Sequence, residues 1–419
     1  MVKLFKKLVC ALFIAVAALS LGSCDMGGVS SSETTNTLFI YLLNYYATEG
    51  QNFTAKWHGM KEALAEHGIE VSGDGDKDAK KFTWKRTENS DLPEDFQLVF
   101  VNNQTWDTSL ALTNPLSKYQ PMAIISTCNG VEFCSDLIAA YSPATENATL
   151  GGFSDNYRTA MENNTLHFLG IKHAASVGPI VAATYSALQG KPIRTENGEA
   201  IRIAQDYWLL HSLEEYDTMK AIDNFENPAY KKSDYDKYLP YANENATFET
   251  FYDFVSKSSY EGVKSVFDAN REVVDTAVST EKVKVALLHP GSVNDAVGAY
   301  MKYIQEYMAA VYNLDIVTFG CTNSDNQTAQ TQKAIDAGCK AIISLQDDTY
   351  RTASIKLANQ NGVYFAIAGN TQNDVDYAET KDLPYYVGAI GSSLESEIKA
   401  MKEITNYYLN KMIERGVVS

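Results

Sequence analysis

Apolar runs that do not alternate with polar residues recur along this chain, each followed by a segment with helical spacing. That rhythm restricts the fold more than any other feature. In the second half, Lys282 to His289 (KVKVALLH), Asp315 to Phe319, Lys340 to Leu345, Val363 to Ala368 and Tyr385 to Ile390 read as strands. The segments Asp295 to Val311, Thr328 to Asp336, Tyr350 to Asn361 and Leu394 to Met412 read as the helices between and after them. A strand that is apolar on both faces is covered on both faces, which means a parallel sheet with helices on either side.

The first half carries the same rhythm. Strands are expected at Leu38 to Leu43, Gln97 to Val101, Met122 to Ser126, Ala148 to Phe153 and His167 to Ile171. Helices are expected at Phe53 to His67, from Trp106 onward, at Val131 to Tyr141 and at Val177 to Gln189, with Gly68 and Gly190 as closing residues. Gly73 to Asn89 is charged and glycine-containing and reads as a surface excursion or hairpin. Pro192 to Thr280 differs in character: Ile201 to Leu213 looks partly buried, Asp223 to Asn245 is rich in Asn, Asp, Tyr and Pro, and a mixed helical stretch runs from Phe248 to Val278. The expected class is therefore α/β, with two doubly wound parallel-sheet lobes and a cleft between them. The lobes would span residues 38–191 and 282–419, with 192–281 as an inter-lobe connector or helical elaboration.

The first 24 residues have another logic. Lys3, Lys6 and Lys7 precede an apolar stretch from Leu8 to Leu21 and the small-residue sequence Leu21-Gly22-Ser23-Cys24. This is the order of a secretory leader, too short and wrongly flanked for a membrane span. It resembles the lipobox of bacterial lipoproteins, and that resemblance implies removal of the leader and acylation of Cys24. Residues 25–37 (DMGGVSSSETTNT) are small and polar, as in a flexible tether. The expected location is a cell membrane, lipid-anchored, facing the periplasm or the exterior. Roughly 390 residues follow Cys24, more than one hydrophobic core commonly supports. The formal charge of −17 argues against nucleic acid as a partner.

The second half resembles a known family. AIDAGCKAIISL (Ala334 to Leu345), ASIKLANQNGVYFAI (Ala353 to Ile367) and YYVGAIGSSLESEIKAMKEI (Tyr385 to Ile404) are similar to segments of the type 1 periplasmic binding proteins. These include the ribose and galactose receptors of ABC importers and the related basic membrane lipoproteins that bind nucleosides. The resemblance implies a solute-binding protein that holds a small neutral polar ligand, a sugar before a nucleoside, by lobe closure without chemistry. It would deliver that ligand to the membrane permease of an ABC transporter and need no cofactor. A nucleoside-binding lipoprotein and a surface sensor or adhesion lipoprotein remain the alternatives. The chain departs from the family in two places: no stretch after Met412 supplies the usual return crossing and terminal strands, and Val177 to Gln189 resembles a piece that normally lies near the family's C-terminus.

Ligands of open parallel sheets settle beyond the carboxyl ends of the strands. Polar residues at those ends are the candidate contacts: Asn44, Tyr45, Asn103, Trp106, Asn129, Asp155 and Asn156 in the first lobe, and Asn294, Asp295, Gln346, Asp347 and Asn370 in the second. Amides and carboxylates there suit hydroxyl-bearing ligands, and an aromatic suits a sugar's apolar face. Each also has a plainer reading, since Asn and Asp favour turns and caps. Asn294 is an N-cap candidate for the helix after it, and Trp57 falls on an apolar helical face that suits a core. No hydrolase elbow, zinc-binding pair or phosphate loop is present, and the histidines are scattered. Cys128, Cys134, Cys321 and Cys339 lack C-x-x-C spacing and read as small buried residues, although an exported protein permits bridges.

Overall fold

The computed structural model describes residues 34–43, 51–72, 82–103, 108–127, 130–151, 156–223, 227–322, 326–346 and 350–418. The leader, Cys24, Cys128 and the tether up to residue 33 lie outside the described residues.

The first half supplies β1 (Thr35–Leu43), α1 (Gln51–Glu66), β2 (Ile69–Ser72), β3 (Thr83–Arg86), β4 (Gln97–Asn103), α2 (Thr108–Tyr119), β5 (Pro121–Ser126), α3 (Gly130–Tyr141), β6 (Glu146–Leu150), α4 (Asn156–Glu162) and β7 (Phe168–Ile171). β2 and β3 pair antiparallel as a small hairpin, the excursion expected there. The next helices and strands are α5 (Gly178–Leu188), β8 (Ile201–Ala204), β9 (Trp208–Leu210), α6 (Leu213–Ile222), α7 (Lys232–Asp236), α8 (Phe248–Ser256) and α9 (Tyr260–Asn270). The second half follows with β10 (Val283–Pro290), α10 (Asp295–Lys302), a π-helical stretch (Tyr303–Met308), α11 (Ala309–Val311), β11 (Leu314–Cys321), α12 (Gln327–Asp336), β12 (Ala341–Ser344), α13 (Arg351–Gln360), β13 (Tyr364–Asn370), α14 (Asp374–Thr380), β14 (Tyr386–Ser392) and α15 (Leu394–Val418).

Two separate six-stranded sheets result, in the orders β4-β1-β5-β6-β7-β9 and β11-β10-β12-β13-β14-β8. Every pairing within them is parallel except β7 with β9. Both sheets are doubly wound, with the winding direction reversing between β1 and β5 in one and between β10 and β12 in the other. β5, β7, β12 and β14 are buried along their whole length, which is what their unbroken apolar runs require. Trp57 is fully buried in the first core with Leu38, Ile125 and Met401, in line with its apolar helical face. Cys134, Cys321 and Cys339 are buried, as small core residues would be.

The chain does not visit the lobes in simple succession. α5, continuous in sequence with the first lobe, packs on β13 and β14 of the second sheet. β8 then adds to β14 at the edge of the second sheet, and β9 returns to β7 at the edge of the first. α15 leaves the second sheet and lies along α1 in the first lobe. Segments 178–188 and 394–418 thus sit on the opposite lobe from the one that sequence order suggests. An apolar stripe specifies that a helix is covered, but not which sheet covers it. The crossings expected after Met412 occur instead as β8, β9 and α15.

Residues 192–281 bridge the two lobes on one side. α6 packs on α4, where Arg158 pairs with Asp217 through both carboxylate oxygens, at 2.8 and 2.9 Å. α7 packs beneath α5, and α8 lies against β8. One buried cluster runs from Ile171 and Leu210 through Tyr230 and Phe254 to Val285, Ile343 and Val387. Tyrosine and aspartate carry this docking: Tyr235 and Tyr303 share a hydroxyl–hydroxyl hydrogen bond of 3.3 Å, and the Tyr307 hydroxyl donates to Asp275. Asp275 in turn accepts the backbone N–H groups of Lys232 and Ser233 at 3.2 Å, satisfying the start of α7.

Gly178 is needed for that contact, because a Cβ there would stand 1.9 Å from the Tyr235 hydroxyl. Gly178→Ala is therefore expected to destabilise the fold by about 1–3 kcal/mol through overpacking. Gly298→Ala, whose Cβ would meet only Val293 at 3.7 Å, is expected to stabilise α10 by about 0.5–1 kcal/mol. Urea midpoints of the two variants checks both signs; a neutral Gly178→Ala would mean that Tyr235 moves aside freely.

Candidate functional site

The carboxyl ends of parallel strands present backbone carbonyls without a next strand residue to pair with, and this chain covers several with cations. Lys56 of α1 donates to Thr127 O (3.2 Å) and Leu150 O (3.0 Å), just beyond β5 and at the end of β6. Arg351, buried at the start of α13, donates to Gln346 O (3.4 Å) and Thr371 O (3.3 Å) beyond β12 and β13. Such bonds are charge-assisted, so they hold strand ends more firmly than neutral ones.

A third cation joins the two sheets. β7 ends at Ile171, and the next residue, Lys172, is only 6% exposed. Its Nζ donates to Gly369 O of β13 across a distance of 3.3 Å, so the carboxyl end of a first-sheet strand meets the carboxyl end of a second-sheet strand. The same ammonium lies 5.3 Å from the centre of the Tyr207 ring, in the segment between β8 and β9. The Tyr207 hydroxyl donates to Glu397 Oε1 of α15 at 3.2 Å. Beside them Ser392 Oγ, at the end of β14, reaches Asn370 Oδ1 at 2.9 Å and Gly369 O at 3.2 Å. Gly369 has φ +86°, and Tyr300 would lie 3.4 Å from any Cβ placed there. At Gly391 a Cβ would fall 2.0 Å from the Gly369 carbonyl carbon, so β14 approaches β13 this closely only because position 391 is glycine.

Burial dominates the electrostatics of this junction. It lowers Lys172 from the usual lysine range to about 7, although the carboxylates of Glu397 and Asp206 pull the other way. It lowers His173 to about 3, with Lys172 adding to the effect, so this imidazole is neutral and stacks on Trp208 at 4.4 Å. Desolvation also raises the Tyr207 phenol well above its ordinary value, and Glu397 adds to the effect. Asp223 is raised by burial too, an effect opposed by the Ala174 and Ala175 N–H groups that it caps at 2.8 and 3.3 Å.

Against this geometry the expected contacts divide. Asn44, Tyr45, Trp106, Asn129, Asp155 and Asp347 lie outside the described residues. Asn103 closes β4 opposite Leu43. Asn156 begins α4 and is exposed. Asn294 caps α10, accepting the Val297 N–H at 2.9 Å, while Asp295 is exposed in its first turn. Gln346 is half-buried beyond β12, and its Oε1 has no hydrogen-bond partner among the described residues. Asn370 stands at the junction itself. Lys172, Tyr207 and Glu397 are brought there from three distant segments, and none stands out in sequence. A lysine directly after a buried strand (HFLGIK) is the one available signal, and it reads equally well as a strand leaving the core.

No family model and no curated protein matches the chain. It is similar to solved structures. One is an ABC transporter solute-binding protein from Bacillus halodurans C-125 with bound myo-inositol, at 9% identity, covering 91% of this chain and 91% of that one, with a TM-score of 0.44. Another is an ABC transporter periplasmic solute-binding protein from Actinobacillus succinogenes 130z with bound D-allose, at 8% identity, with coverage of 90% and 92% and a TM-score of 0.42. A third is the periplasmic binding ribose operon repressor protein from Lactobacillus acidophilus, at 10% identity, 92% of each chain and a TM-score of 0.38. Likeness at this level decides nothing about ligand.

The buried lysine makes stability depend on pH with a definite sign. Between about pH 7 and the unfolded lysine value of about 10.4, the unfolded chain holds a proton that the folded one has released. Stability is therefore expected to fall as pH drops from about 10 to 7, with a slope up to about 1.4 kcal/mol per pH unit. Lys172→Met should lack that component when urea midpoints are compared across the range, and an identical slope in the variant would show that Lys172 is solvated.

Proposed function

We propose that this chain is the solute-binding component of an ABC importer, anchored in a membrane through acylated Cys24. It holds a small neutral polar ligand, a sugar before a nucleoside, between its lobes without making or breaking bonds in it. The observation that carries this reading is the meeting of two doubly wound sheets, carboxyl end to carboxyl end, at Lys172 and Gly369. In such sheets the loops after the strands at the winding reversal diverge and leave a crevice. The reading puts the ligand between the two crevices, contacted on both sides. Asn370 and Gln346 from the second lobe supply amide groups at that level.

A nucleoside would call on Asn294-Asp295, which matches an Asn-Asp after the first strand of the nucleoside-binding lipoproteins. Asn294 spends its side-chain oxygen on the Val297 N–H and both residues are exposed, which favours the sugar reading. Closure around the ligand would pair polar groups on both its faces and expel water, so ligand shifts the balance between open and closed forms through its differential affinity. Among the described residues no helix is long and apolar enough to cross a membrane, so the reading assigns attachment to the lipid.

The full chain carrying Cys24→Ala is the material for the test. In a thermal-shift screen of monosaccharides and cyclitols, D-allose and myo-inositol among them, against nucleosides, a sugar is expected to raise the melting temperature. At a hundredfold excess over Kd, stabilisation is about 2.7 kcal/mol. A response confined to nucleosides would reverse the ranking, and none in either set would remove the receptor reading. With a sugar identified, Asn370→Ala is expected to weaken calorimetric affinity roughly ten- to hundredfold, the cost of an unpaired buried polar group. Unchanged affinity would place the ligand away from β13. For the anchor, radiolabelled palmitate should enter the parent chain and not Cys24→Ala; equal labelling would move the acylation site elsewhere.

A further inference from the structure

Three of the chain's passages between lobes meet at one buried point. Lys172 lies in the passage from β7 to α5, Asp206 and Tyr207 in the passage from β8 to β9, and Ser392 and Glu397 flank the passage from β14 to α15. Any rotation of one lobe against the other turns about these segments. The ammonium at their centre is poorly compensated. One carbonyl accepts from it at 3.3 Å, and no carboxylate lies within ion-pair distance of it among the described residues. Asp206 is turned toward Lys399, 2.8 Å away, and Glu397 accepts from Tyr207.

We infer that Lys172 is a proton-linked latch between the lobes, its contact with the Gly369 carbonyl favoured by loss of the lysine proton and parted by its gain. The groups that face it from each neighbouring element are few. His173 on its own segment is neutral, Asp206 and Tyr207 come from the second passage, and Glu397 comes from α15, whose Lys399 and Glu403 interact with Asp206 instead. Tyr300 of α10 packs over Gly369, and Ser392 and Asn370 are uncharged. Asp223 is engaged in capping Ala174 and Ala175.

The sign follows from hydration. In the present arrangement Lys172 titrates near 7 because burial strips water from its charged form. A small parting of the lobes lets water reach Nζ and restores the ordinary lysine range, so the parted form binds the proton more tightly. Acid then opens the molecule and mild alkali closes it. A closing ligand expels the same proton, and its affinity rises with pH by the reciprocity of linked equilibria. This deepens the receptor reading only in requiring lobes that can part, and it does not depend on which solute fills the cleft.

The test needs no solute. Small-angle X-ray scattering of the Cys24→Ala chain at about pH 6 and about pH 9 is expected to give a larger radius of gyration at the lower pH. Adding Lys172→Met should abolish the shift and hold the alkaline value at both, whereas Lys172→Arg, charged throughout, should hold the acid value at both. An unshifted parent chain overturns the latch, as does a shift that survives in either variant. Circular dichroism melts establish that each variant is folded; should Lys172→Met fail to fold, the arginine variant and the parent decide the matter. A solute screen without hits leaves this result standing, so the two proposals fail separately.

Discussion

A lysine taken out of water between two sheets is the contact on which the arrangement of this molecule turns. Desolvating a lysine is costly unless it is paired, and here the compensation is one backbone carbonyl, an aromatic ring and carboxylates at longer range. That cost is tolerated because the position of Lys172 is imposed by its neighbours. β7 is buried throughout, Lys172 follows it at the junction of the two sheets, and Asp223 fixes the turn that comes next. Gly391 lets β14 close on β13 beside the accepting Gly369 carbonyl. Lys56 and Arg351 repeat the device of a cation over strand-end carbonyls within single lobes.

The connector gives the junction its rigidity. A bare pair of lobes joined by three strands would flex in many directions. Here tyrosines from α7, the π-helical stretch and α5 fill one side, with their hydroxyls tied to a carboxylate, to each other or, for Tyr185, to the Thr280 hydroxyl. Tyrosine suits such a seam, because its ring supplies apolar area while its hydroxyl finds a partner in the same plane. The Asn-, Asp-, Tyr- and Pro-rich composition of residues 223–245, unlike the strand-helix rhythm on either side, reflects this role.

Local structure was legible wherever burial imposes a pattern. β5, β7, β12 and β14 announce themselves as unbroken apolar runs, and Gly68 and Gly190, at φ +71° and +75°, close their helices as expected. The division into two doubly wound sheets follows from the same signal. Illegible were the partners. α5, β8 and α15 have apolar faces that either lobe could cover, and the crossing pattern is decided by long-range fit that no window of sequence contains. For the site, strand-end logic reached Asn370 but overlooked Lys172, Tyr207 and Glu397. Their chemistry comes from meeting in space, and singly they read as a strand-end lysine, a loop tyrosine and a first-turn glutamate.

The placement of α15 bears on how the chain can be made. Met401, Ile404, Tyr408, Leu409 and Met412 belong to the same core as Leu38, Ile40 and Trp57, so more than three hundred residues separate the two sides of that core. The first lobe cannot complete its interior while the second is still being synthesised. Lobe-by-lobe folding along the nascent chain is thereby closed off, and contacts of such high sequence separation slow the search for the native state. Until that last helix has emerged, the face of α1 that α15 covers has no partner, and the first core stays open.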